Sequence, residues 1–482
     1  MSQSTPPSPA HARPSLVVPV LAFGGIVVSL MQTLVTPLLP KLPGLLGAAP
    51  ADTAWVITAT LLAAAVATPV VGRLGDMYGK RRMLLLSLGL LVAGSVVAAL
   101  SDTLVPMVVA RALQGLAAGV IPLGISIMRD ELPAERLGSA TAMMSASLGV
   151  GGALGLPAAA FLAENTDWHV LFWTSAGLGV IVTALVLACV PESSVRTGGR
   201  FDVVGAAGLS AALVCLLLAI SKGAAWGWGS GTTLGLFGAA AVLLLVWGWW
   251  ELCAGQPLVD LRTTARPQVL LTNLSSLVFA FAMFAMSLVL PQILQLPTAT
   301  GYGLGQTMLV TGLVLMPSGL LMMATAPVSA RITATRGPKV TLMTGALVVA
   351  AGYGLGVVLM ASVWQLVLVS ATISAGIGLA YGAMPALIMG AVPVSETAAA
   401  NSLNTLMRSI GTSISSAVAG VILAQLTVSL GSATVPSQGG FRLILGTGSV
   451  MALAALAIAA FIPAASRRGQ AAGDRELAPA TR

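Results

Sequence analysis

Residues 52–101 read DTAWVITATLLAAAVATPVVGRLGDMYGKRRMLLLSLGLLVAGSVVAALS. Two apolar runs, 52–72 and 83–101, flank a ten-residue segment that carries Arg73, Lys80, Arg81, Arg82 and a single acid, Asp76. About 20 apolar residues in a helix cross the hydrocarbon core of a bilayer. Each run therefore has the length of one crossing, and the segment between them is a turn at the membrane surface. Lipid supplies no hydrogen bonds to a backbone, so the runs must be helices.

The same pattern recurs along the chain. Fourteen runs qualify: 16–39, 52–72, 83–101, 104–128, 137–162, 169–191, 203–221, 232–252, 268–294, 305–329, 339–361, 364–391, 398–428 and 441–463. Of the 482 residues, 57% are hydrophobic and 8% charged. A soluble domain carries about 25% charge and could not cover its surface with so few. The composition excludes a soluble enzyme and intrinsic disorder, and long runs rather than short alternating segments argue against a membrane barrel. The reading is an all-α polytopic membrane protein embedded in a lipid bilayer.

An even number of crossings puts both termini on one side. With the amino terminus in the cytoplasm, eighteen Lys and Arg fall inside and three outside (Lys41, Lys222 and Arg442). That bias fixes the orientation in a plasma membrane. The net charge of +8 is thus a topology signal and not a nucleic-acid footprint. The first run is too long for the apolar core of a cleavable signal. Cys189, Cys215 and Cys253 have no zinc or redox spacing, and His11 and His169 have no ligand neighbours. No metal or other cofactor is expected, and no loop is long enough for a catalytic domain.

Two stretches align without a gap. Gly72 to Arg81 follows the second run, and Ala330 to Lys339 follows the tenth, the second of the last six. The organisation expected is a tail over 1–15, a six-helix bundle over 16–191, two inserted helices over 192–267, a second six-helix bundle over 268–463 and a tail over 464–482. Parallel halves of this kind are a transporter architecture with the substrate between them.

At these residues the chain resembles the major facilitator superfamily, in its fourteen-helix drug:proton antiporter branch. Gly72-x-Leu74-x-Asp76-x-x-Gly79-Lys80-Arg81 is similar to the family's signature loop, and Arg111-x-x-Gln114-Gly115 to its second motif. Phe201-Asp202-x-x-Gly205 and Asn404-x-x-x-Arg408-x-x-Gly411 also resemble that branch. The resemblance implies the major facilitator fold and export of a drug-like or antibiotic-like small molecule against protons, by a chain that works as a monomer. Two departures stand out. Met31 occupies the place of a family acid in the first helix, and in the fifth Pro157 is displaced and followed by Ala158, Ala159 and Ala160.

Individual residues carry further expectations. Gly72, Arg73, Asp76, Gly79, Lys80 and Arg81 form a gating loop, with Asp76 pairing with bases or with a helix N-terminus in one state and releasing them in the other. Arg111 lies inside an apolar run, where a charge costs at least about 2.5 kcal/mol unless paired or hydrated. With Gln114 it is a candidate for switching or proton coupling. No Asp or Glu falls at the centre of any run. Asp52 and Glu164 are the remaining coupling candidates, at run ends. Gln32, Thr33, Thr36, Thr58, Asn273, Gln292, Asn404 and Arg408 would line the substrate path, or bond helix to helix as such groups do in any bundle. Arginines without acids favour neutral, zwitterionic or anionic amphiphiles as substrates. The rival is a metabolite carrier or facilitator without an obligatory proton site.

Overall fold

The computed structural model describes residues 14–35, 38, 41–193, 195–430 and 433–463. Among them, fourteen helices are long and apolar enough to cross a membrane. The first six are α1 (Pro14–Thr33), α2 (Trp55–Tyr78), α3 (Lys80–Ala99), α4 (Leu104–Glu131), α5 (Ala134–Asn165) and α6 (His169–Cys189). Next come α7 (Val203–Trp226) and α8 (Gly231–Cys253). The last six are α9 (Pro267–Gln295), α10 (Met308–Arg336), α11 (Pro338–Val358), α12 (Val363–Met389), α13 (Thr397–Gln425) and α14 (Gln438–Ala460). A 3-10 turn at Leu116–Gly119 interrupts α4. A hairpin of β1 (Thr427–Leu430) and β2 (Ala433–Pro436) joins α13 to α14, where the sequence gives no sign of strands.

Burial follows the two sets of six. One apolar core gathers buried residues of α1, α3, α4 and α6, among them Leu21, Leu88, Leu123 and Phe172. A second gathers Phe279, Val349, Ile373 and Phe441 from the last six. The sets meet along two seams. α5 packs on α10 and α12, and α2 packs on α13. The pair α7 and α8 lies outside both sets, with α7 resting on α2 and α13 through Leu209, Leu213, Ala65, Leu406 and Ile410. α8 is peripheral, and Leu245, Val246 and Trp249 face outward, as suits a lipid contact.

Three expected boundaries move. The first helix ends at Thr33 and not at Leu39. Thr36 and Pro37 lie outside the described residues, as do most of the two tails, 1–13 and 464–482. The second helix does not stop at Gly72. It runs on to Tyr78, so the segment carrying Arg73 and Asp76 is helix and not loop. Nothing from Arg73 to Tyr78 breaks a helix, and the run of apolar residues ends before the helix does. The tenth helix likewise continues to Arg336.

What ends both is glycine. Gly79 has φ 120° and Gly337 has φ 89°, a region that side chains with a Cβ rarely enter. These two glycines are aligned in the sequence repeat, and the next aligned bases behave alike. Arg81 Nη2 donates to Leu187 O at 2.6 Å, in the last turn of α6. Lys339 Nζ donates to Ala460 O and Ile462 O, both at 2.7 Å, at the end of α14. In each set of six, the base opening the third helix satisfies carbonyls at the end of the sixth. Those carbonyls have no partner within their own helix, and a cation there also meets the negative end of the helix dipole.

Candidate functional site

The loops carrying most of the bases define one end of the bundle, called the basic end here. There Asp76 is fully buried in the last turn of α2. Its Oδ1 accepts from Ala398 N at 3.2 Å and its Oδ2 from Ala399 N at 2.8 Å. Both donors belong to the first turn of α13, where N–H groups have no partner inside the helix and the dipole is positive. Lys80, also fully buried at the start of α3, places Nζ 3.8 Å from Asp76 Oδ1 and 2.7 Å from Asp130 Oδ2. Arg129, beside Asp130 at the end of α4, donates to Thr397 Oγ1 at 2.6 Å and to Val392 O at 3.2 Å. Three helices of the first set thus hold the first turn of one helix of the second. Asp130 and Arg129 are parts of this junction that sequence reading passed over, because they looked like ordinary loop charges.

Gly72 sets how closely α2 and α13 approach. A Cβ there would stand 2.8 Å from Ala398 O and closer still to Ser402 Oγ. Gly72→Val is therefore expected to push the two helices apart and to lower transport about tenfold, the cost of overpacking being about 1–3 kcal/mol. Gly72→Ala paired with Ser402→Gly should recover part of the loss. Equal transport in Gly72→Val and the parent chain would contradict the close-approach role.

Arg73 is half-buried and lines a small cleft with Val259, Asp260 and Leu403. Arg111 is buried in the first set of helices. Its Nη1 donates to Gln114 Oε1 at 2.7 Å and to Met31 O at 3.5 Å, and its Nε to Val56 O at 3.4 Å. Gln114 Nε2 donates in turn to Ser95 Oγ at 3.0 Å. One guanidinium ties α4 to α1, α2 and α3, and Met31 contributes its carbonyl where the family places an acid.

The other expected path residues fall into two groups. Asn404 Nδ2 donates to Asn273 Oδ1 at 3.0 Å and to Ser276 Oγ at 2.7 Å, joining α13 to α9. One turn on, the buried Arg408 stacks over Tyr381 of α12, 4.8 Å from the ring centre, and donates to Thr405 Oγ1 at 3.1 Å. Tyr381 was not singled out from sequence, since a lone Tyr in an apolar run gives no signal of its partner. The second group is dispersed. Gln32 is exposed, Gln292 is half-buried, and Thr33 and Thr58 give their hydroxyls to Leu30 O and Ala54 O of their own segments. Asp52 is exposed in a short separate helix, Pro50–Thr53. Glu164 falls within α5, and its side chain lies outside the described residues.

The model of the Major Facilitator Superfamily matches residues 21–416, most of the chain and both sets of helices. The chain belongs to that superfamily. Among named major facilitator proteins, the tetracenomycin C resistance and export protein of Streptomyces glaucescens is 28% identical over 436 residues, covering 87% of this chain and 78% of that one. An uncharacterised MFS-type transporter of Mycobacterium tuberculosis is also 28% identical, over 431 residues and 87% of this chain. The chain spans only 61% of the length of that relative. In fold, the crystal structure of the human organic anion transporter MFSD10 superposes with a TM-score of 0.65 over 92% of this chain and 99% of that one, at 16% identity. The protein is a multi-pass membrane protein with the major facilitator fold.

Proposed function

We propose that this chain is a secondary exporter that moves drug-like or antibiotic-like small molecules out of the cell in exchange for protons, by alternating access. The observation that carries the mechanism is the carboxylate of Asp76 on the first turn of α13. It is a bond between the two sets of helices at one end of the molecule, and it must break if that end opens. Such a two-state contact is what alternating access requires. The names of the relatives support the substrate class. The basic loops support a plasma membrane with both termini in the cytoplasm, so that the closed junction faces the cytoplasm and the protein stands in its outward-facing arrangement. Residues 16–191 and 268–463 are then the two moving halves, with 192–267 as an accessory pair, and a single chain suffices.

The bound molecule is placed between the halves, with Asn404 and Arg408 on one wall. A buried cation stacked on a ring and without a carboxylate within ion-pair distance, among the described residues, favours neutral, zwitterionic or anionic amphiphiles over lone organic cations. No covalent chemistry is assigned.

A second reading is a metabolite carrier or facilitator without an obligatory proton. It draws on one observation: among the described residues the buried carboxylates, Asp76, Asp130 and Glu251, all sit near helix ends and not at mid-span.

The test is drug susceptibility of an efflux-deficient bacterial host expressing the chain, followed by everted vesicles under an imposed pH gradient. Protection against at least one amphiphilic antibiotic, with proton movement when that compound is added, is expected. No protection across a broad panel contradicts the exporter. Protection without proton movement favours the second reading.

A further inference from the structure

Of the buried carboxylates among the described residues, Asp76 and Asp130 are spent on the α2–α13 junction. Glu251 has no part in it. Glu251 sits in the last turn of α8 at 3% exposure. Its Oε2 accepts from Val259 N at 3.4 Å, and its Oε1 is buried with no hydrogen-bonding partner. One turn earlier on the same helix, Trp247 Nε1 is also buried and lies beside the Glu251 carboxyl, outside good hydrogen-bond geometry. Leaving buried polar atoms unmatched is costly, so such atoms call for an explanation.

A second carboxylate faces that open oxygen. Glu251 Oε1 and Asp202 Oδ2 both come within 3.0 Å of the point where a Cβ on Gly205 would stand, which places them within two such radii of each other. Asp202 is fixed in position. Its Oδ1 accepts from Gly205 N at 2.8 Å as the cap of α7, and its Oδ2 accepts from Trp250 Nε1 at 3.1 Å. Glu251 is buried and Asp202 half-buried, so the two carboxylates repel at this separation, and a proton on Glu251 removes the repulsion.

We propose that Glu251 and Asp202 form a proton-binding site on the inserted helices, and that its occupancy is tied to closure of the α2–α13 seam. The proton sits on Glu251 Oε1, beside the Asp202 carboxylate, while the seam is closed. It leaves to water at the basic end when the seam opens. The link is short. Val259, bonded to Glu251, is buried together with Leu258 in one apolar cluster with Ala65 of α2 and Leu403 of α13. Parting those helices strips the cover from 258–259 and exposes Glu251. The proposal deepens the proton-coupled reading above and rests on it for its role in transport, but not for proton binding itself.

The other charges on the surrounding elements are engaged elsewhere. Asp260 accepts from Arg262 N, Thr263 N and Thr263 Oγ1. Partial burial pushes its carboxyl up, but the Thr263 and Arg262 bonds outweigh that and hold it below the usual range, so it is not the proton holder. Arg266 donates to Ala391 O at 2.8 Å, Arg262 and Arg200 are exposed, and Arg73 lines the neighbouring cleft.

The test uses the purified full chain in lipid vesicles with no transported compound. Infrared difference spectra across a pH series report carboxyl protonation. The parent chain is expected to show a buried protonated-carboxyl signal that is lost as pH rises. Glu251→Gln is expected to remove a component of it, and Asp202→Asn, which takes away the neighbouring charge, to move the loss of that component to lower pH. Hydrogen exchange of segment 254–264 is the second readout. In the parent chain its rate should rise with pH about tenfold beyond the intrinsic effect, as the segment opens locally. In Glu251→Gln, an uncharged stand-in for the protonated acid, it should stay slow. A carboxyl signal unchanged in Glu251→Gln, the absence of any such signal in the parent chain, or the same pH dependence of exchange in both overturns the proposal. Because neither readout involves export, a chain that fails the drug assay yet shows these signals keeps the site and loses the exporter reading.

Discussion

Asparagine in place of Asp76 is expected to remove most transport while leaving the chain folded and in the membrane. The carboxylate makes two charge-assisted bonds to the first turn of α13 and faces Lys80. A hydrogen bond to a charged group contributes about 1.5–3 kcal/mol, and charge at a helix N-terminus adds to it. These contacts exist only while the basic end is closed. Losing about 2–3 kcal/mol from one of two states shifts their ratio by roughly 30- to 150-fold, since 1.4 kcal/mol is tenfold. The chain would then dwell with the basic end open. Transport should fall by at least about tenfold. A cysteine at the buried position 402, in a background without the native cysteines, should react faster with a membrane-impermeant thiol reagent applied from that end. Unchanged transport together with unchanged labelling would show that the junction does not set the balance between states.

Arg111→Ala should instead cost stability. The guanidinium satisfies Gln114 Oε1 and the carbonyls of Met31 and Val56 from one point. Its removal takes this donor from Gln114 Oε1 and Met31 O, while Val56 O keeps its bond from Thr60 Oγ1, and leaves a cavity among α1, α2, α3 and α4. A hydrogen bond from a charged group contributes about 1.5–3 kcal/mol, and the cavity adds to the cost. For a chain of this size that is a Tm lower by a few degrees, with transport lost in proportion to the folded protein lost. Arg111→Lys keeps the charge but not the planar fork that reaches several acceptors, so it should fall between the two. An alanine variant with unchanged Tm and lost transport would move Arg111 from brace to substrate or proton contact.

Much of this was legible in the residues. Asp76 between Gly72 and Gly79 reads as a switch because a solvated topology signal needs bases but no acid spaced by glycines. The partner was not legible: Ala398 and Ala399 donate through their backbones, and a backbone donor leaves no mark in side-chain identity. Arg111 reads as a charge that must be satisfied, and the structure supplied the carbonyls. Glu251 was hidden by its place. A carboxylate at the end of an apolar run looks solvated until segment 254–264 is folded over it. Asp202 and Val259 reach it from two other stretches of chain.

The sequence by itself marked out fourteen runs long and apolar enough to cross a bilayer, a basic end, and a ten-residue stretch after the second run that recurs after the tenth. Those are local properties: the length of an apolar run, the charge between runs and a glycine that ends a helix are fixed by neighbouring residues. Tertiary structure alone decided that α2 closes on α13, that Arg81 and Lys339 perform one job in two places, and that two acids face each other on the inserted pair. Each of these joins residues far apart in the chain, and only the packing of helices in three dimensions brings them within the few ångströms over which hydrogen bonds and buried charges act.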